Sequence, residues 1–352
     1  MKYFTFGNSF PKKYYSLVTI VVVFTIITII LFWSRFEKPT LNYPNTKKIE
    51  QEMVQTVNEP IQPIPDFIAL DSEKVALGNK LFHEPKLSGD NKISCASCHD
   101  LNKAGVDWQK VSESVNGTFT QFNSPTVFNS GFNFKQNWKG NINSLEEQIE
   151  GSISRPTSMG SSWKNVINKL KNDSEYVRLF RQVYSEEISK ENVKDAIATF
   201  ERSLFTPNSP FDKYLKGDTN AITSQEKEGY KIFKEYGCVS CHQGVNVGGN
   251  LFHKFGIIGD PFARKPTGIT QEDLGRFTIT KKEEDRYVFK VPSLRNITLT
   301  PPYFHDGSAE TLNSAIAIMA KYQLGRNLSA SEIDLIMKFL RTLEGEYQGK
   351  SL

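Results

Sequence analysis

One five-residue pattern occurs twice and uses every cysteine of the chain. Cys95-Ala96-Ser97-Cys98-His99 and Cys238-Val239-Ser240-Cys241-His242 start 143 residues apart in a chain of 352. Their upstream flanks echo each other. Leu77-Gly78-Asn79-Lys80-Leu81-Phe82 precedes the first copy, and Glu228-Gly229-Tyr230-Lys231-Ile232-Phe233 precedes the second. A duplication of this length implies two related domains rather than one site. C-x-x-C-H is the attachment pattern for c-type haem. Each thiol adds to one porphyrin vinyl group, and two intervening residues match the vinyl separation on a helical turn. The histidine follows directly, so its imidazole lies under the ring and binds iron. A redox C-x-x-C pair needs no histidine, and a shared zinc site would leave two histidines unexplained. Disulfides suit an exported chain, but two residues make a tight bridge. Two covalently bound haem c groups are therefore expected.

Charge is informative through its distribution. The first 38 residues hold Lys2, Lys12, Lys13, Arg35 and Lys38 against Glu37, which accounts for the whole net charge of +4. The remainder is neutral and carries no basic block, so nucleic acid is set aside as a partner. Leu17–Trp33 is almost wholly apolar, and no charge lies between Lys13 and Arg35. That length spans a bilayer core as a helix. The run ends without a small-x-small cleavage site, which favours an uncleaved anchor over 1–36 rather than a secretory signal. Lys12 and Lys13 set the N-terminus inside. The haem domains then lie on the periplasmic or outer side of the cytoplasmic membrane. Residues 37–65 contain Pro39, Pro44, Pro60, Pro63 and Pro65 and read as an extended, solvated tether.

The rest reads as helix. Ser144-Leu145-Glu146-Glu147, Thr223-Ser224-Gln225-Glu226 and Ser329-Ala330-Ser331-Glu332 are capping-box patterns. Val193, Ile197, Phe200 and Leu204 form one helical stripe, and Ile333, Ile336, Met337, Leu340 and Leu343 another. Arg286–Lys290 is the best short strand candidate, and Thr206–Asp218 reads as an interdomain link. The expected fold is all-α, with two cytochrome-c-like haem domains in tandem, 66–215 and 216–345, after a transmembrane helix. The second axial ligand decides between electron transfer and chemistry. Met raises a haem's potential. Met319, 77 residues after His242, fits ligation and core packing equally, whereas Met337 fits core packing.

Further blocks make a family resemblance specific. They are Asn123-Ser124-Pro125-Thr126-Val127-Phe128-Asn129, Ser144–Gln148, Val291-Pro292-Ser293-Leu294-Arg295-Asn296 and Thr300-Pro301-Pro302-Tyr303-Phe304-His305-Asp306-Gly307-Ser308. With the haem motifs, they resemble the bacterial dihaem cytochrome c peroxidases over residues 66–345. The resemblance implies that His99 is the proximal ligand of a peroxidatic haem and His242 that of an electron-entry haem. It makes Met319 the sixth ligand of the entry haem. A related enzyme that matures a tryptophan-derived cofactor has Tyr there, so Met319 argues against that chemistry. Trp138 resembles the Trp between the haems, and Gln148 the retained distal amide. The Asn123 side chain and the Thr300 and Pro302 carbonyls resemble a calcium site, whose hard oxygen ligands suit Ca²⁺. Family members are often homodimers.

Two departures qualify the resemblance. Family members commonly carry a capping His in the loop after the first motif. Residues 100–137 contain none, and Val115 holds the matching place. The first haem is therefore expected to be open without reductive activation. Ser158 replaces the family's distal carboxylate, and a hydroxyl is a poor general base. Glu146, Glu147 and Glu150 lie nearby and are expected to face solvent. His83 and His253 are expected to bond locally, and His305 to order a loop. The leading expectation is reduction of hydrogen peroxide to water, with electrons from a small soluble cytochrome c or copper protein. Ser158 keeps open a non-catalytic electron-transfer or sensing protein. Oxidation of a partner protein or small molecule is the third reading.

Overall fold

The computed structural model describes residues 59–263, 265 and 268–352. The apolar run Leu17–Trp33 and the tether as far as residue 58 lie outside them. Among the described residues, no helix is long and apolar enough to cross a membrane.

Two helical lobes repeat one plan. The first contains α1 (Ser72–Phe82), α2 (Cys95–Cys98), α3 (Leu145–Ser154), α4 (Trp163–Lys171), α5 (Ser174–Tyr184) and α6 (Lys190–Ser203). The second contains α7 (Pro210–Leu215), α8 (Ser224–Glu235), β1 (Phe252–Lys254), α9 (Phe277–Thr280), β2 (Val288–Lys290), α10 (Leu312–Leu324) and α11 (Ala330–Arg341). A short hairpin, β3 (Glu346–Tyr347) and β4 (Lys350–Ser351), ends the chain. The fold is thus mostly helical, not all-α. β1 and β2 pair antiparallel with Phe252 opposite Lys290, and the predicted strand at Arg286–Lys290 shortens to its last three residues.

The repeated flanks form the helix crossings. In the first lobe α1 packs across α6, and a Cβ at Gly78 would lie 2.0 Å from the Ala196 carbonyl oxygen. In the second, α8 packs across α11, and a Cβ at Gly229 would lie 2.0 Å from the Leu335 carbonyl oxygen. Only glycine permits this approach, which explains its presence in both echoes. The stripes at 193–204 and 333–343 supply the facing apolar surfaces, and Val193, Ile197, Leu204, Phe339 and Leu343 are completely buried. Thr223 and Ser329 form the predicted capping boxes. Ser144 caps α3 through the Glu147 N–H, but the Glu147 carboxylate reaches back to Asn143 instead of Ser144.

Residues 61–64 and the C-terminal hairpin each pack against the lobe distant from them in sequence. Ile61 packs in the second core, and the Ile64 N–H donates to Asp212 Oδ1 at 3.2 Å. Residues 61–64 are therefore not the solvated tether expected from their prolines, because two isoleucines there find buried seats. Tyr347 packs edge-to-face on Phe128 of the first core. The segment read as a link is equally ordered: Phe211 and Leu215 of α7 belong to the second core. Asp212 is sealed against Arg295 at 2.8 Å, with both side chains fully buried. Arg295 also donates to the carbonyls of Val245 and Gln62, so its charge is hydrogen-bonded as burial requires.

Two of the family-like blocks meet in that link. Asn129 Nδ2 and Asn296 Nδ2 both donate to Thr206 Oγ1, at 2.8 and 3.1 Å. Asn129 Oδ1 accepts from the Thr206 N–H at 2.9 Å. All three residues are buried, so the lobes are joined by a satisfied polar node.

Candidate functional site

In the first lobe, α2 is a single turn that presents Cys95 and Cys98, and His99 follows as its C-cap. The chain then turns through Ala104 and Gly105, which returns the Gly105 carbonyl to His99 Nδ1 at 3.2 Å. A donor bond at Nδ1 leaves the Nε2 lone pair for a metal. Burial lowers the His99 pKa, so the ring is neutral as ligation requires. Burial also pushes the Cys95 thiol up to about 12 and raises Cys98.

In the second lobe, Cys238 opens a 3₁₀ turn after Gly237, and Cys241 caps it. Among the described residues His242 Nδ1 is buried with no hydrogen bond of good geometry, and burial pulls the ring's pKa down to about 4. The Val247 and Pro292 carbonyls beside it oppose that shift. Gly248 has φ +123°, and a Cβ there would lie 2.2 Å from the Pro292 carbonyl oxygen and 3.3 Å from His242 Nδ1. The glycine-rich loop therefore gives backbone room beside the imidazole. A neutral imidazole with its Nδ1 buried, next to two thiols that burial keeps protonated, suits covalent haem. Cys95 packs against the first core and Cys238 against the second, which argues against one shared four-cysteine zinc site.

The first lobe holds a cavity of about 280 Å³. Cys95, Cys98, His99, Trp138, Gln148 and Ser158 all line it, as does Asn123. Sequence-predicted residues spread over 63 positions thus converge on one space. Gln148 Nε2 donates to Ser152 Oγ at 2.9 Å, which fixes the amide. The Trp138 indole N–H donates to the Asn123 carbonyl at 2.8 Å. Asn123 Nδ2 donates to the Gln109 carbonyl at 2.9 Å, and its backbone N–H to the His305 carbonyl. Val115 packs against Gly160, and Ser114 Oγ donates to the Ser158 carbonyl at 2.6 Å. The loop that carries a capping His in related chains is thereby pinned to the turn at Ser158, with no imidazole.

Other predicted residues fall as follows. Met337 packs against the second core, whereas Met319, half-buried on α10, stands outside that packing. His83 Nδ1 bonds the Asn79 carbonyl, and His253 Nδ1 bonds Gln323. His305 is buried, and its Nε2 meets Asp273 Oδ1 at 2.8 Å. Lys265 bridges Asp273 and Asp306 at 2.6 and 2.9 Å. His305 and this ion-pair network keep the Asp273 carboxyl well below the ordinary range. Glu146 and Glu150 do not simply face solvent. They pair with Arg202 and with Lys190 and Lys194, because α3 packs beside α6.

Glu201 was missed. It is 6% exposed, lines the same cavity, and burial pushes its carboxyl up to about 8. The signal was present: Glu201 follows Val193 and Ile197 at four-residue steps, on the buried stripe of α6.

Residues 72–220 match the family described as Di-haem cytochrome c peroxidase. Cytochrome c peroxidase Ccp of Escherichia coli is 47% identical over 292 residues, covering 82% of this chain and 62% of that protein. The chain thus spans less than two thirds of that relative. Cytochrome c551 peroxidase of Nitrosomonas europaea is 42% identical over 296 residues, covering 83% of this chain and 86% of that one. Among solved structures, a MauG-like protein associated with microbial copper homeostasis superposes with a TM-score of 0.69 at 28% identity, over 81% and 93% of the two chains. A relative 42% identical and covered over 86% of its length shows that the chain belongs to the di-haem cytochrome c peroxidase family.

Proposed function

We propose that this chain reduces hydrogen peroxide to water in its first lobe, with electrons received in its second from a small soluble cytochrome c or copper protein. The observation that carries the reading is the convergence of Cys95, Cys98, His99, Trp138 and Gln148 on one cavity, with His99 Nδ1 held by a carbonyl. When bound, the haems store the electrons and supply the iron chemistry that cleaves the O–O bond.

The chain's own groups position and relay. His99 and His242 would offer Nε2 to the irons, and the four thiols would hold the porphyrins covalently. Gln148, fixed by Ser152, presents its amide carbonyl to a peroxide O–H. Trp138, fixed by Asn123, is held in one place for electron passage between the lobes. Met319 would supply a neutral thioether, which favours ferrous iron, at the entry haem. Val115, at the place of a capping His, would offer the first haem no imidazole. A calcium ion at Asn123 Oδ1 and the Thr300 and Pro302 carbonyls would brace this junction. Asn123 points its amide N–H at Gln109, and its Oδ1 accepts no hydrogen bond among the described residues. Leu17–Trp33 anchors the chain in the cytoplasmic membrane, with both lobes outside the cytoplasm.

The test is peroxide consumption by the reduced holoprotein with a cytochrome donor, alongside EPR of the oxidised protein. Turnover with a high-spin first haem, before any reduction, supports the reading. Two low-spin haems and no peroxide consumption reject it. Ser158 favours a second reading, a non-catalytic electron-transfer or sensing protein, in which the first haem binds ligand but turns over peroxide many-fold below its relatives.

A further inference from the structure

Among the described residues, Lys290 is a buried lysine without an anion. It occupies β2, whose three residues are all buried, and is itself 8% exposed. Strand alternation turns Phe289 onto His305, ring centroids 4.6 Å apart, and sends the Lys290 side chain to the opposite face. Among the described residues its ammonium has no carboxylate and no hydrogen-bond acceptor, and burial alone pulls its pKa down to about 8. Isolated buried charge is costly, so buried lysines are paired with anions or driven neutral.

Its place says which anion is at hand. The Lys290 N–H donates to the Trp138 carbonyl at 2.9 Å, on the side of the first cavity. Val291 follows and bonds Gly249 and Leu251 in the loop behind the second haem motif. The Pro292 carbonyl then lies beside His242. The backbone at Lys290 therefore runs from Trp138, which lines the first cavity, toward His242 of the second motif; a bound haem would bring two carboxylates, and among the described residues Lys290 has none.

We propose that the Lys290 ammonium pairs with a haem propionate and thereby sets the potential of that haem. A paired cation cancels the propionate charge. Its loss leaves negative charge near the iron, which favours the ferric state and lowers the potential. The inference rests on the two-haem reading, which a haem count of two per chain checks separately.

The experiment compares wild type, K290M and K290R as full-length holoproteins, by spectroelectrochemical titration of each haem and resonance Raman of the propionate bending bands. K290M is expected to lower one haem's potential and shift its propionate band, with K290R close to wild type. The haem that moves, first or second, identifies the propionate. Unchanged potentials and bands in K290M overturn the proposal. So does K290R falling as far as K290M, since charge would then not be the cause. If K290M takes up no haem, wild type in D₂O decides: an ammonium donor moves the propionate band, and a band that stays overturns the proposal.

Discussion

Gly229→Ala tests the helix crossing that carries the second haem motif. The added Cβ would lie 2.0 Å from the Leu335 carbonyl oxygen, 2.8 Å from its carbon and 3.1 Å from Phe339 Cβ. Ordinary contact starts near 3.4 Å, so the crossing must open by about 1.4 Å. The atoms struck are backbone and a Cβ, and no rotamer change relieves them. Overpacking of this kind costs about 3 kcal/mol at the upper end of its usual range. Alanine's better helix propensity returns about 1 kcal/mol. The expected net loss is about 2 kcal/mol, read as a melting temperature lower by roughly 4–8 °C for a lobe of this size. The effect should be local. Helix α8 runs directly into Cys238, so G229A should perturb the second haem's absorption and spare the first. G78A, with the same 2.0 Å approach to Ala196, should do the reverse. Thermal unfolding monitored in the Soret and circular dichroism bands makes the comparison. A G229A protein as stable as wild type would show that propensity outweighs the contact, and the crossing argument would fail.

Three further outcomes follow from the site. Ser158→Glu should raise peroxide turnover by at least tenfold if the missing carboxylate limits proton delivery, since general acid–base groups contribute about 10²–10⁴-fold; steady-state kinetics decides, and no change would locate the proton route elsewhere. Met319→Ala should lower the second haem's midpoint potential, measured by spectroelectrochemistry, because a thioether ligand raises it; an unmoved potential would exclude Met319 from the iron. Burial raises the Glu201 carboxyl to about 8 from an ordinary 4.5, so between those values the folded chain keeps a proton that the unfolded chain releases. Stability should therefore fall as pH rises through that window, and Glu201→Gln should flatten the decline in urea titrations at pH 5 and 8; parallel curves would refute it.

Much of the site was legible because its chemistry is local. Five consecutive residues suffice to attach a haem, so both motifs declared themselves. Caps and stripes were legible for the same reason: Thr223 and Ser329 bond groups within a turn, and Val193 to Leu204 repeats at the helical period. His83 and Met337 obeyed their neighbours in the chain. The glycine echo at 78 and 229 was visible as a repeat, but its reason was not, because the carbonyls it admits lie over a hundred residues away.

The remainder depended on surfaces that only folding brings together. Whether Glu146 faces water or Arg202 depends on where α6 lies against α3. Ile61 and Ile64 were hidden among prolines, and their burial required the second core to be present. Asn129, Thr206 and Asn296 are unremarkable polar residues singly, and together they are the seam between the lobes. Glu201 and Lys290 owe their shifted pKa values to burial that no local spacing encodes. Covalent attachment and helical period act over a few residues and are written in the chain. Desolvation and long-range pairing are properties of the assembled interior, and the tertiary structure alone decides them.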